Sequence, residues 1–188
     1  MKQKNVLLGI DRDGTLIKND DFFGKNNFWK KEIELNHNVI NFLFSVCTKF
    51  KTTKIVLSNQ SGVARGFFTI KRVMEINTHI DYHLRLNGIK IDNWQFCPDV
   101  DNTFVKKHPE IKFTPRFVKP KTKRKPSPDM LFDGLATLKL SLTQFDHVVI
   151  FGDRNEDKEL AQNIKGKYLD VNNKKYQDLL NEFIQLIS

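Results

Sequence analysis

Five short apolar runs, each ending in small or polar residues, alternate along this chain with stretches whose apolar residues recur every three or four positions. No other feature constrains the fold as tightly. The runs cover 6–10, 54–58, 148–152 and 168–171, with a weaker one at 92–97. Runs this short, without strict two-residue alternation, read as strands buried on both faces. Between them Val39, Phe42, Leu43, Val46, Cys47 and Phe50 keep helical spacing, as do Ile70, Val73, Met74, Asn77, Ile80 and Leu84. Ser127-Pro128 predicts an N-cap and first helical residue, with Met130, Leu131, Leu135 and Leu138 facing inward. Tyr176, Leu179, Leu180, Phe183, Ile184 and Ile187 predict a final amphipathic helix. The expected fold class is α/β, a doubly wound parallel sheet. At 188 residues, with no internal repeat and no separating linker, a single domain over 1–188 is expected. A basic, proline-containing stretch at about 99–124 reads as an excursion from the sheet.

Composition bounds the rest. Hydrophobic residues at 39% and aromatics at 11% suffice for a packed core. No stretch reaches the roughly 18 to 20 apolar residues of a membrane helix, and 6–10 is too short for a signal-peptide core. A soluble, cytoplasmic monomer without a membrane partner is therefore the expectation. Cys47 and Cys97 are too few for a disulfide framework; both are expected to stay reduced, with Cys47 buried on its helical face. The net charge is +9, and 103–125 alone carries nine basic residues against Glu110.

In open parallel sheets, ligands sit beyond the carboxyl ends of the strands. Polar residues collect there in this chain: Asp11 and Asp13 after the first run, Ser58-Asn59-Gln60 after the second, Lys125 after the excursion, Asp153 after the run at 148–152. Asp11-Arg12-Asp13-Gly14 can be a tight turn or part of a site. A calcium loop is excluded by spacing, because it needs glycine sixth and glutamate twelfth, whereas Gly14 is fourth and Phe22 twelfth.

Asp11-Arg12-Asp13-Gly14-Thr15-Leu16, Ser58-Asn59-Gln60-Ser61-Gly62-Val63-Ala64-Arg65-Gly66, Arg124-Lys125-Pro126 and Gly152-Asp153 together resemble, in order, the four motifs of the haloacid dehalogenase superfamily of phosphatases. The resemblance is to the branch containing heptose bisphosphate phosphatase, histidinol-phosphate phosphatase and polynucleotide 3′-phosphatase. It implies a Rossmann-like sheet with only a short cap insertion, and a magnesium-dependent phosphomonoesterase working through an aspartyl-phosphate. Asp11 is then the nucleophile and Asp13 the general acid and base. Magnesium is held by Asp11, Asp153 and the main-chain carbonyl of Asp13, screening the charge of the phosphate dianion. Ser58 and Lys125 hold the phosphoryl group, and Asn59, Arg65 and Arg124 hold substrate. Asp157, four residues past Asp153, either joins the metal site or is a solvated acid at a helix start.

The chain departs from that branch in its zinc loop. Cys97-Pro98-Asp99 keeps one cysteine, Lys121-Thr122-Lys123 stands where a cysteine pair is expected, and Cys97 with His108 gives at most two ligands. No structural zinc is expected. The basic run is either a solvated face or the border of the active-site mouth, and Phe104, Phe113 and Phe117 either stack bases or anchor the loop. A sugar phosphate or similar small ester is the expected substrate. The alternative is a nucleic-acid 3′-phosphate bound through 103–125, with a protein phosphatase or a non-catalytic binding protein behind it.

Overall fold

The structure is a computed structural model and describes residues 3–18 and 22–188. In chain order, strand β1 (Asn5–Ile10) leads through a short α1 (Trp29–Glu32) to α2 (His37–Lys49) and β2 (Lys51–Asn59). One turn of helix, α3 (Ser61–Ala64), precedes α4 (Ile70–Leu86) and β3 (Asn93–Cys97). The excursion holds β4 (Val100–Asp101), α5 (Asn102–Lys107) and β5 (Val118–Lys119). After it come α6 (Asp129–Thr137), β6 (His147–Gly152), α7 (Asn155–Asn163), β7 (Lys167–Asp170) and α8 (Tyr176–Ile187).

The main sheet has the order β3-β2-β1-β6-β7, and every pairing in it is parallel. Alternate residues of β1 serve opposite layers. Val6, Leu8 and Ile10 join the cluster that α2, α4 and α8 bury, whereas Leu7 joins Met130, Leu131 and Leu135 of α6 and Leu160 of α7. Helices thus cover both faces, which is why the central strands carry no polar alternation. Among the described residues no helix is long and apolar enough to cross a membrane.

Several local expectations shift. The inner stripe of α4 is Val73, Ile76, Asn77, Ile80 and Leu84, while Ile70 and Met74 are exposed. Cys47 is half-buried rather than buried, because it lies at the margin of the α2 face; Cys97 is buried. Helix α6 begins at Asp129, one residue later than expected, yet Ser127 Oγ still accepts from the Asp129 amide at 3.3 Å. β2 begins at Lys51, where Lys54 is buried against Asp92 at 3.2 Å and sustains a polar start to a central strand.

In the excursion, β4 and β5 pair in parallel as a second sheet. Asp101 caps α5 by accepting from the Phe104 amide at 2.7 Å. Val100, Phe113 and Phe117 pack with Val63, Ala64 and Val73 in a third apolar cluster, and the Thr114 amide donates to the Ala64 carbonyl at 2.8 Å. Phe113 and Phe117 therefore anchor the loop.

Candidate active site

Strand β1 lies between β2 and β6, and the chain runs outward through β2 and β3 before returning to β6 on the other side. The reversal opens a crevice at the carboxyl ends of β1 and β6, where such sheets bind ligands. The Asp11 amide donates to the Phe151 carbonyl at 3.0 Å and carries the pairing one residue into that crevice. Two glycines make room for carboxylates. Gly14 has φ +81°, and a Cβ there would sit 2.4 Å from Asp153 Oδ2. A Cβ on Gly152 would sit 2.3 Å from Asp157 Oδ2.

Asp11, Asp153 and Asp157 bring one carboxylate oxygen each within 4.8 Å of one another. Lys125 Nζ, fully buried, donates to Asp11 Oδ1 at 2.5 Å and to Asp157 Oδ1 at 2.6 Å. Three acids face one ammonium. Burial, reinforced by the Asp11 charge, pushes Asp153 up to about 6. Burial also pushes Asp157 up to about 6, with Lys125 opposing and Asp11 adding to the rise. Burial works to lower Lys125, but Asp11 and Asp157 outweigh it and hold the ammonium above its ordinary range. A carboxylate cluster short of positive charge, offering hard oxygens only, fits a divalent cation such as magnesium.

The Asp13 carboxylate lies outside that cluster. Its Oδ1 accepts from Arg12 Nε at 3.0 Å and Nη2 at 2.9 Å, and its Oδ2 accepts from Gln60 Nε2 at 2.6 Å and Ser58 Oγ at 3.4 Å. The Asp13 carboxylate is thus committed to neighbouring side chains, and the third acid that could hold a cation with Asp11 and Asp153 is Asp157.

A pocket of about 240 Å³ opens over these groups, bordered by Asp11, Asp13, Asn59, Arg65, Arg124 and Lys125. Ser58 lies beneath it, 1% exposed, accepting from Gln60 Nε2 at 2.7 Å. Asn59 clamps the Lys125 main chain: its Oδ1 accepts from the Lys125 amide at 2.8 Å and its Nδ2 donates to the Lys125 carbonyl at 3.2 Å. The Arg65 guanidinium sits among the rings of Phe22, Phe104 and Phe113 at 5.0, 5.5 and 5.4 Å. Arg124 lies 4.6 Å from the Phe104 ring and donates to Glu156 at 2.9 Å. Burial lowers the pKa of both arginines, and Arg65 Nε and Arg124 Nη1 are buried without a hydrogen-bond partner among the described residues.

Phe22 and Glu156 border the pocket without having been singled out in the sequence, and Gln60 was named there only as part of the polar run after the second strand, with no role of its own. Gln60 had a signal, lying inside the Ser58–Gly66 motif. Phe22 and Glu156 had none, since a loop phenylalanine and a helix-start glutamate are ordinary.

No family model matches the chain. A D-glycero-beta-D-manno-heptose-1,7-bisphosphate 7-phosphatase of Yersinia pestis is 29% identical over 174 residues, covering 90% of this chain and 82% of that one. The structure of a D,D-heptose 1,7-bisphosphate phosphatase from B. bronchiseptica, complexed with magnesium and phosphate, superposes with a TM-score of 0.68 at 22% identity, covering 94% of this chain and 86% of that one. A HAD-like phosphatase structure from Mesorhizobium loti gives 0.75 at 22% identity, covering 98% and 87%. Sheet order and crevice match the fold of these structures, and with the acid cluster and the curated relatives they support a phosphatase of the haloacid dehalogenase class. Within that class, the curated relatives to which the chain is similar are heptose bisphosphate phosphatases.

Proposed function

We propose that this chain is a magnesium-dependent phosphomonoesterase that passes the phosphoryl group of a sugar phosphate to Asp11 and then to water. The reading rests above all on one observation: Asp11, held by Lys125, faces Asp153 and Asp157 at the switch point of the sheet, with Asp13 bordering the same pocket. A divalent cation held by the carboxylates of Asp11, Asp153 and Asp157 supplies the charge that lets a carboxylate approach a phosphate dianion. Lys125 fixes the orientation of the Asp11 carboxylate and adds positive charge where the transition state gains negative charge. Asp11 attacks phosphorus, the bond to the ester oxygen breaks, and Asp13 donates a proton to the departing oxygen. Water then attacks the aspartyl-phosphate, Asp13 takes its proton, and Asp11 is freed.

Arg65 Nε and Arg124 Nη1 have no acceptor among the described residues, which suits a leaving group rich in hydroxyls or carrying a second anion. A panel of sugar mono- and bisphosphates tests the substrate class. Turnover is expected to need magnesium and to vanish in Asp11→Asn; turnover surviving that substitution or chelation would sink the mechanism.

A second reading is supported by a groove of about 580 Å³ that shares Phe104, Arg124 and Glu156 with the catalytic pocket and continues past Lys107, His108 and Lys121. It suits a strand end whose terminal phosphate enters the pocket. Phosphate release from a 3′-phosphorylated oligonucleotide, falling steeply with salt, is the expected outcome under this reading; salt-insensitive release counts against it.

A further inference from the structure

Arg12 lies between the two catalytic aspartates of the motif, yet its own side chain has no role in the reaction as described. Its guanidinium is fully buried, a costly placement unless every donor is matched. The matches are specific. Nε and Nη2 reach Asp13 Oδ1 at 3.0 and 2.9 Å, Nη2 also reaches Asp13 Oδ2 at 2.9 Å, and Nη1 donates to Asn77 Oδ1 at 2.9 Å. Asn77 is itself buried, on the inner face of α4 between Val73, Ile76 and Ile80, which pack into the apolar core. A planar fork gripped from behind by a rigid helix can hold a carboxylate in one orientation, which an ammonium on a flexible stem does not do.

We propose that Arg12 and Asn77 are positioning residues for the proton-transfer group: Asn77 fixes the Arg12 fork, and the fork aims the Asp13 carboxyl at the departing oxygen. The proposal rests on the phosphatase reading above. It makes a distinction that a merely structural role does not. A nitrophenolate leaves without a proton, whereas an alkoxide needs one, so loose aim at Asp13 penalises alkyl esters selectively.

The experiment compares kcat/KM on p-nitrophenyl phosphate and on glycerol phosphate for wild type, Arg12→Lys and Asn77→Ala, with folding checked by circular dichroism. Wild-type turnover of the aryl ester, abolished in Asp11→Asn, tests the phosphatase reading by itself; its absence overturns that reading and the proposal together. Given that turnover, both variants are expected to lose about tenfold or more in kcat/KM, which reports the leaving-group step and not the later attack of water, on the alkyl ester beyond their loss on the aryl ester. Equal losses on both esters would overturn the proposal and leave Arg12 a packing residue. Should Arg12→Lys fail to fold, Asn77→Ala decides alone: it sits in a helix, where alanine is the best former, and its link to Asp13 runs through Arg12.

Discussion

Asp153 and Asp157 titrate near 6 in the metal-free chain because burial and the Asp11 charge disfavour their ionised forms. Both lie above the roughly 3.9 of an unfolded aspartate, so between about pH 4 and 6 the native state binds more protons than the unfolded state. The stability of the metal-free protein therefore falls as pH rises through that window, and above it both acids are ionised and ready to bind a cation. Magnesium is expected to raise Tm markedly at pH 8 and little at pH 5, as thermal denaturation with and without the ion would show; an equal shift at both would separate the ion from these acids. At this scale Asp11, Asp13, Lys125 and Asp153 were legible because the motif spacing marks them. Asp157 was half legible: an acid in the first turn of a helix looks the same whether it faces solvent or, as here, a buried lysine. Arg12 was not legible at all, since its partner Asn77 lies 65 residues away.

At the level of elements, the turns after β1 and β6 are shaped around carboxylates. Gly152→Ala drives a methyl group into the space of Asp157 Oδ2 and is expected to weaken magnesium binding by about tenfold while leaving the sheet intact. Calorimetric titration checks this, and unchanged affinity would mean that Asp157 is not needed. The excursion holds itself by packing. Phe113→Ala is expected to cost about 3 kcal/mol in denaturant unfolding, whereas a zinc-selective chelator should leave Tm where it was. A fall in Tm on chelation would point to a metal clip. The main strands and long helices could be read because burial on both faces or on one stripe imposes a pattern. β4, β5 and α5 could not: two-residue strands carry no periodicity, and the segment that holds them packs against α3 and α4.

Across the whole molecule the excess positive charge divides. Arg116 and Lys119 line a surface groove with Lys71 at the start of α4, while Lys107, Lys121 and Arg124 line the groove beside the catalytic pocket. Part of the linear run in sequence is thus shared between two grooves, something only the fold of 99–124 could reveal. Because the third apolar cluster joins the excursion to α3 and α4, one cooperative unfolding transition is expected by circular dichroism and by tryptophan fluorescence alike. Two transitions would make the excursion a separate unit. The ring cage around Arg65 has a thermodynamic corollary. A guanidinium already wedged among Phe22, Phe104 and Phe113 has few rotamers left to surrender, so an anion captured there should bind with a smaller unfavourable entropy than one met by a freely swinging arginine.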